Sequence, residues 1–343
     1  MKKYILSFLF LSLLIAGCSK EDKEDVIIEE EEEQEDPWAN IDFTEPIRGV
    51  NWADERDNFV DGQLVLSGLT LGDSYFMVQS DAQPIIRGFI ENMSANTLRL
   101  PVNHATVSST WWNGYKGVVD KAITKGMRVI LAYWEADSSR DGKVDDLPEF
   151  WEMWDDIIED YGENPGVYFE VMNEPHGYAL YQLTDLYASW LQRYPEIPQG
   201  RILLGGKGYS EDVTGVGADS RFEGCLLSLH NYAFWTNRTA EEWRNDWLRR
   251  VGAYASRTVV TEFGATMTQG KDYSTATQGD NEIDYIQASA TVFNENNIQS
   301  VYWPGYRHGD WYSIQEYDSN TFNLYTTNES GLYWIQYGWG MNE

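Results

Sequence analysis

The chain has 343 residues, 42% of them apolar and 15% aromatic, enough for one large core or two small ones and a poor fit to a disordered chain or a membrane protein. Its formal charge of −30 would be repelled by nucleic acid and by anionic membrane surfaces, so neither is expected as a partner. Of the two cysteines, Cys18 falls in a targeting signal and Cys225 reads as a small buried hydrophobe, which leaves no internal disulfide framework.

Residues 1–17 read as an export signal, with Lys2 and Lys3 ahead of an apolar run at 5–15 that is too short to span a bilayer comfortably. The run ends in Leu14-Ile15-Ala16-Gly17-Cys18, which resembles a bacterial lipobox. That resemblance implies a lipoprotein acylated on Cys18, touching the lipid bilayer through that residue only. Residues 18–45 then form an acidic tether, with Glu29 to Glu33 unbroken and only Lys20 and Lys23 opposing, so the segment repels itself and stays extended. An acidic run just behind a lipidated cysteine also resembles the surface-export signals of some Gram-negative lipoproteins, implying an outer-membrane protein that faces outward. Residues 46–343 are left for one folded domain.

From residue 46 onward, strand and helix signals alternate. A first strand is expected at 47–52, followed by a long loop punctuated by glycine and aspartate, with a hairpin near Asp61-Gly62. A second strand is expected at 97–102. A third, at 127–134, follows a helix carrying Val118, Val119, Ala122 and Ile123 and stopped by Gly126. Pro148 suits a first helical turn, and Phe150, Trp151, Trp154, Ile157, Ile158 and Tyr161 share one face before Gly162. The fourth strand begins at Val167 and runs into Asn173-Glu174-Pro175, where the proline must end ladder pairing. An amphipathic helix over 180–194, a strand at 201–205 and a strand at 226–230 come next. Thr239 and Glu242 form a capping box ahead of Trp243, Trp247, Val251 and Tyr254. The seventh strand, from Thr258, delivers Glu262; a helix over 283–293 and a strand at 300–303 complete the pattern. A weak final helix is expected near 332–337.

Eight strands alternating with helices predict an α/β fold, a single (β/α)8 TIM barrel, with a doubly wound open sheet as the alternative. The barrel is favoured because polar residues gather at the C-terminal ends of nearly all the strands, whereas an open sheet concentrates them near one switch point. No phosphate-binding glycine motif follows the first strand.

In such a barrel Arg99, Asn173, Glu174, His230, Tyr232, Glu262 and Trp303 would converge on one cleft. Two glutamates facing one another there suit glycosidic cleavage, one protonated to supply the leaving oxygen and one ionised to attack the anomeric carbon. Arg99 would stabilise the Glu262 carboxylate, Tyr232 would donate to it, Asn173 could bond a sugar 2-hydroxyl, His230 could orient its neighbours, and Trp303 offers a stacking floor. The motifs Leu-Arg99-Leu-Pro, Asn173-Glu174-Pro, His230-Asn-Tyr232, Thr-Glu262-Phe-Gly and Trp303, in this order, resemble the cellulase-like family 5 glycoside hydrolases of the large retaining barrel clan. The resemblance runs over about residues 47–303. It implies Glu174 as general acid/base and Glu262 as nucleophile, with retention of anomeric configuration. One departure stands out: where the family often ends its third strand in a histidine lining the cleft, this chain has Trp134, so contacts beside the cleaved bond differ.

Aromatic residues at helical spacing, such as Trp151 with Trp154 and Trp243 with Trp247, are expected in the core. Trp111, Trp112, Trp235 and Trp311 follow strands in loop positions and are candidate sugar platforms, Trp235 foremost. His104, His176 and His308 show no ligand spacing, so no catalytic metal and no cofactor are expected. The acidic residues Asp54, Glu55 and Asp57 read as solvated surface. The expected activity is endo-acting hydrolysis of a β-1,4-linked polysaccharide, glucan first, by a monomeric enzyme. Mannan, xylan and xyloglucan are alternative substrates, and a glycan-binding lipoprotein without turnover is the reading from a different class.

Overall fold

The computed structural model describes residues 36–275 and 279–342, so the export signal, Cys18 and the Glu29–Glu33 run lie outside the described residues. Eight parallel strands close into a barrel in sequence order: β1 Arg48–Trp52, β2 Thr97–Val102, β3 Arg128–Tyr133, β4 Val167–Glu170, β5 Ile202–Gly205, β6 Leu226–His230, β7 Thr258–Phe263 and β8 Gln299–Tyr306. Closure is made where β8 returns to β1, with Ser300 beside Arg48 and Val301 beside Gly49, and this excludes the open doubly wound sheet.

Helices on the outside take the apolar outer faces of the strands. They are α1 Tyr75–Met93, α2 Trp111–Thr124, α3 Leu147–Tyr161, α4 Leu180–Arg193, α5 Ala240–Val251, α6 Asn281–Asn296 and α7 Glu329–Gly338. The capping box of α5 forms as its residues require, with Thr239 N–H donating to Glu242 Oε2 at 2.8 Å and Glu242 N–H donating to Thr239 Oγ1 at 3.3 Å. Trp154, Trp243 and Trp247 are fully buried between helices and barrel, as their helical spacing predicts. Inside the barrel, Ile130, Leu203, Val259 and Val301 form an apolar layer near the N-terminal ends of the strands. Toward the C-terminal ends the interior turns polar, with Asn51, Arg99, Glu170, Ser228 and Thr261 all buried. The apolar layer is a floor, and the polar layer above it is the base of the cleft.

The segment between β1 and β2 departs from expectation. No hairpin forms at Asp61-Gly62; among the described residues the only pairing there is an isolated bridge between Asp54 and Leu66. The segment instead carries α1, capped by the Ser74 side chain and burying Val78, Ala82, Ile85, Ile86, Phe89 and Met93 along one stripe. Pro84 lies within that helix and masks the periodicity, since proline ordinarily ends a helix. Asp54 is also not part of a solvated cluster: it is buried and holds the Arg56 guanidinium at 2.6 Å. After β8 a small antiparallel hairpin, β9 Gln315–Asp318 with β10 Asn323–Thr326, precedes α7. No helix among the described residues is long and apolar enough to cross a membrane.

Candidate active site

Arg99 is the hub. It rises from β2 with 1% of its surface exposed, and three strands supply its partners. Its Nε and Nη2 donate to the two oxygens of Glu170 at 2.6 and 3.0 Å, a two-pronged ion pair. Nη1 donates to Asn51 Oδ1 at 2.9 Å and to Glu262 Oε1 at 2.7 Å, while Nη2 also reaches Asn173 Oδ1 at 2.8 Å. An ion pair buried this completely holds only when nearly every donor is satisfied, and four acceptor groups around one planar guanidinium meet that need.

Glu262, next to last in β7, takes a second donor on its other oxygen, the Tyr232 O–H at 2.9 Å. The glycine that follows Phe263 is dictated by packing: a Cβ on Gly264 would collide with the Trp303 carbonyl oxygen. The close approach of β7 and β8 there brings Trp303 against the site. Glu174 lies beyond the end of β4, with φ of +48°, a left-handed conformation uncommon for a residue with a side chain. His176 N–H closes the turn on the Glu174 carbonyl at 2.7 Å, and Asn173 N–H is held by the Tyr133 carbonyl at 2.9 Å. Strain of this kind persists where the surroundings over-determine it, and here it turns the Glu174 carboxyl toward the barrel axis.

His230, at the end of β6, sits between the two glutamates. Its Nδ1 lies 3.1 Å from Glu174 Oε1 and 3.6 Å from Glu262 Oε2, and its Nε2 lies 3.0 Å from Thr261 Oγ1. One carboxyl oxygen of Glu174, one of Glu262 and a ring nitrogen of His230 all fall within 4.8 Å of one another. A cation placed among these three would face the Arg99 guanidinium, which already occupies Glu262, so the cluster suits a proton and a sugar oxygen better than a metal ion.

Burial dominates the electrostatics. It pushes the Glu174 carboxyl up to about 7, against the opposing pull of Arg140, Arg99 and His176. It also raises Glu262, where His230 and Arg99 pull the other way. The Arg99 and Tyr232 donors bond directly to Glu262, which favours the negative charge on that carboxylate over Glu174. Burial pulls His230 down to about 4, so the imidazole is neutral at neutral pH.

The aromatic residues divide differently from the sequence reading. Trp134 is 3% exposed and lies behind Trp303, their rings stacked at 5.7 Å, with Phe59 edge-on to it at 4.6 Å. The expected subsite residue is therefore a buried support for the half-exposed Trp303 ring. Trp111 and Trp112 are likewise no platforms: they open α2, are buried, and spend their indole N–H groups on the Leu64 carbonyl at 2.8 Å and Asp160 Oδ2 at 2.8 Å. Trp235 and Trp311 are in the open, 90% and 65% exposed. Phe234, which the sequence did not single out, stacks between Tyr232 at 4.6 Å and Tyr312 at 5.5 Å, so a row of rings leads outward from Glu262. On the other side of the cleft, the loop after β3 bends over to the loop after β1, with the Arg140 guanidinium 3.6 Å from the Phe59 ring centre and Ser138 N–H on Asp61 Oδ1 at 2.7 Å. Buried Glu135 holds that loop in shape by accepting the N–H groups of Asp141, Gly142 and Lys143.

Residues 68–308 match the family model described as cellulase, glycosyl hydrolase family 5. Among curated proteins, endoglucanase Z of Dickeya dadantii is 26% identical over 199 residues, which is 54% of this chain and 41% of that protein, so less than half of the relative's length is covered. Among solved structures, a β-glucanase of Saccharophagus degradans in complex with cellotetraose superposes with a TM-score of 0.62 at 16% identity, covering 87% of this chain and 89% of that one. The catalytic domain of Thermobifida fusca endoglucanase Cel5A gives a TM-score of 0.55 at 17% identity, over 86% of this chain and 92% of that one. At these identities the two structures speak for the barrel, while the family model speaks for descent: the chain belongs to the cellulase family of glycosyl hydrolases, family 5.

Proposed function

We propose that the chain is a retaining, endo-acting hydrolase of β-1,4-linked polysaccharide, with glucan as its first substrate, Glu174 as acid/base and Glu262 as nucleophile. The observation that carries the reading is the proximity of the two carboxyls. One oxygen of each lies inside 4.8 Å of the other, which supports a retaining mechanism, since the carboxyls of retaining enzymes stand about 5–5.5 Å apart, too close for a directly attacking water. Glu262 attacks the anomeric carbon while Glu174 gives its proton to the departing glycosidic oxygen; Glu174 then takes a proton from the water that releases the glycosyl group from Glu262.

Substrate contacts follow from what the protein leaves unpaired. Asn173 spends its carbonyl oxygen on Arg99, and its buried Nδ2 has no partner among the described residues, which suits donation to a sugar 2-hydroxyl. Trp303 supplies the floor, and the row Tyr232, Phe234 and Tyr312 with Trp235 at its edge supplies flat apolar faces for further sugar rings. An open row of this kind fits an internal stretch of polymer, hence the endo mode. The relatives described as an endoglucanase and as a β-glucanase bound to cellotetraose favour glucan. The enzyme would work as a monomer held at the outer membrane through an acylated Cys18 and facing outward.

A product screen over defined β-glucan, mannan and xylan polymers tests this reading. Internal cleavage of glucan, releasing oligosaccharides with retained configuration, is expected; release of monosaccharide alone from chain ends contradicts the endo mode. Glu262→Ala should abolish turnover on every substrate, whereas Glu174→Ala should slow polymer cleavage strongly yet spare glycosides with activated leaving groups. Binding without turnover by the parent protein would replace the enzyme reading with a glycan-binding one.

A further inference from the structure

Beneath His230 lies a chain of hydroxyls that no step above uses. Ser228 and His230 are two apart on β6 and both face the barrel interior, and Thr261 on β7 stands between them. The contacts run from His230 Nε2 to Thr261 Oγ1 at 3.0 Å, from Thr261 Oγ1 to Ser228 Oγ, and from Ser228 Oγ to Glu170 Oε1 at 2.7 Å. We propose that Ser228 and Thr261 are positioning residues that fix His230 as its Nε2–H tautomer, so that the lone pair on Nδ1 faces Glu174 and favours the protonated carboxyl. This inference rests on the assignment of Glu174 as proton donor.

The argument is a count of protons. Glu170 is ion-paired to Arg99 through both oxygens and only accepts, so Ser228 must give its single proton to Glu170. Ser228 Oγ can then only accept from Thr261, which uses Thr261's single proton. Thr261 Oγ1 can in turn only accept from His230, which places a proton on Nε2. Were Thr261 to donate to His230 instead, its contact with Ser228 would set lone pair against lone pair in a buried site, an expensive arrangement. A neutral imidazole with its proton on Nε2 has a bare Nδ1, and the oxygen 3.1 Å from it is Glu174 Oε1. That contact is a hydrogen bond only while Glu174 carries a proton. Once Glu174 has given the proton up, lone pair faces carboxylate, which makes Glu174 a stronger base for the water of the second step.

Other charged groups act on the same pair. Glu174 is faced by Arg140 from the loop after β3, Arg99 from β2, His176 from its own turn, Asp57 from the loop after β1 and Glu262 from β7. His230 is faced by Glu262, Arg99 and Glu170, and burial keeps it neutral. The cations pull Glu174 down and burial pushes it up; the His230 lone pair works with burial.

Two measurements test the inference. Ring 15N shifts in protein labelled at histidine report the tautomer without any substrate, and the pH profile of kcat/KM on β-glucan reports the proton on Glu174. Wild-type His230 is expected as the Nε2–H tautomer at neutral pH. In Ser228→Ala, Thr261 is free to donate to Nε2, so the proton should move to Nδ1, and the alkaline limb should fall by about one pH unit, the scale of exchanging a hydrogen bond to the neutral acid for one to its anion. Thr261→Val should move the limb the same way, and Thr261→Ser should restore both tautomer and profile. A wild-type His230 found as Nδ1–H or as imidazolium overturns the inference, as does a folded Ser228→Ala protein with unchanged tautomer and unchanged limb. If the wild type turns over no β-glycan, the functional proposal fails, and the tautomer measurement still decides this one.

Discussion

Glu174 should make the protein less stable as pH rises, and replacing it with glutamine should remove that dependence. The Glu174 side chain is only 15% exposed, and burial lifts its carboxyl from the ordinary 4.5 to about 7. Between those two values the folded protein holds a proton that the unfolded chain has lost, so stability is fully present below the unfolded pKa and is lost as pH rises through the folded one. A carboxyl displaced that far corresponds to about 3 kcal/mol, most of which falls between about pH 5 and about pH 8.5. Glu174→Gln keeps the shape, cannot ionise, and can still donate to His230 Nδ1. Urea unfolding of both proteins at the two pH values, followed by tryptophan fluorescence, gives the stability difference at each. The glutamine variant should gain on the wild type by about 2–3 kcal/mol from the acid to the alkaline condition. A difference that stays flat across this range would mean that Glu174 titrates as an exposed carboxyl, and the account of its raised pKa would fall.

Arg99→Met should cost about 3–5 kcal/mol, because it leaves Glu170 buried without its cation, and urea unfolding measures it. The same change removes the cation beside Glu262, so whatever activity remains should show its acid limb at higher pH. Trp235→Ala, at a position 90% exposed, should leave stability within about 0.5 kcal/mol while raising KM on polymer about tenfold, with kcat on a short activated glycoside unchanged. Gly264→Ala should lower Tm and weaken glucan binding, since its Cβ meets the Trp303 carbonyl and must push the floor of the cleft aside.

The barrel was legible because each strand is a short β-rich run with a polar residue at its end, a pattern that survives without any knowledge of packing. Asn173, Glu174, His230, Tyr232 and Glu262 could be read for the same reason, since each sits at or near a strand C-terminus or just past it; Arg99 and Trp303 lie within β2 and β8, and closing the barrel brings all seven together. What the sequence hid has physical causes. The helix Tyr75–Met93 was masked by Pro84, although Ser74 and the stripe from Val78 to Phe89 carried its signal. Trp134 and Trp111 look alike as aromatic residues after strands, and only the course of neighbouring loops decides that both are buried. Glu170 was readable in retrospect, since a lone acid inside an apolar strand must find a buried cation; Ser228 and Thr261 gave no comparable signal, because a hydroxyl in a strand is ordinary until its neighbours are known. Phe234 falls in the same class, its role set by Tyr312 from a loop far along the chain.

The central claim is that Glu262 is the nucleophile of a double displacement, served by Arg99 and Tyr232 while Glu174 keeps the proton. A 2-deoxy-2-fluoro glucoside or cellobioside with an activated leaving group should trap the glycosyl group on that residue, because fluorine slows both steps and the good leaving group rescues the first. Peptide mapping by mass spectrometry should then find one added glycosyl unit on the peptide containing Glu262. Labelling of Glu174 or Glu170 in its place, or turnover of glucan with inversion and no trapped adduct, would contradict the account.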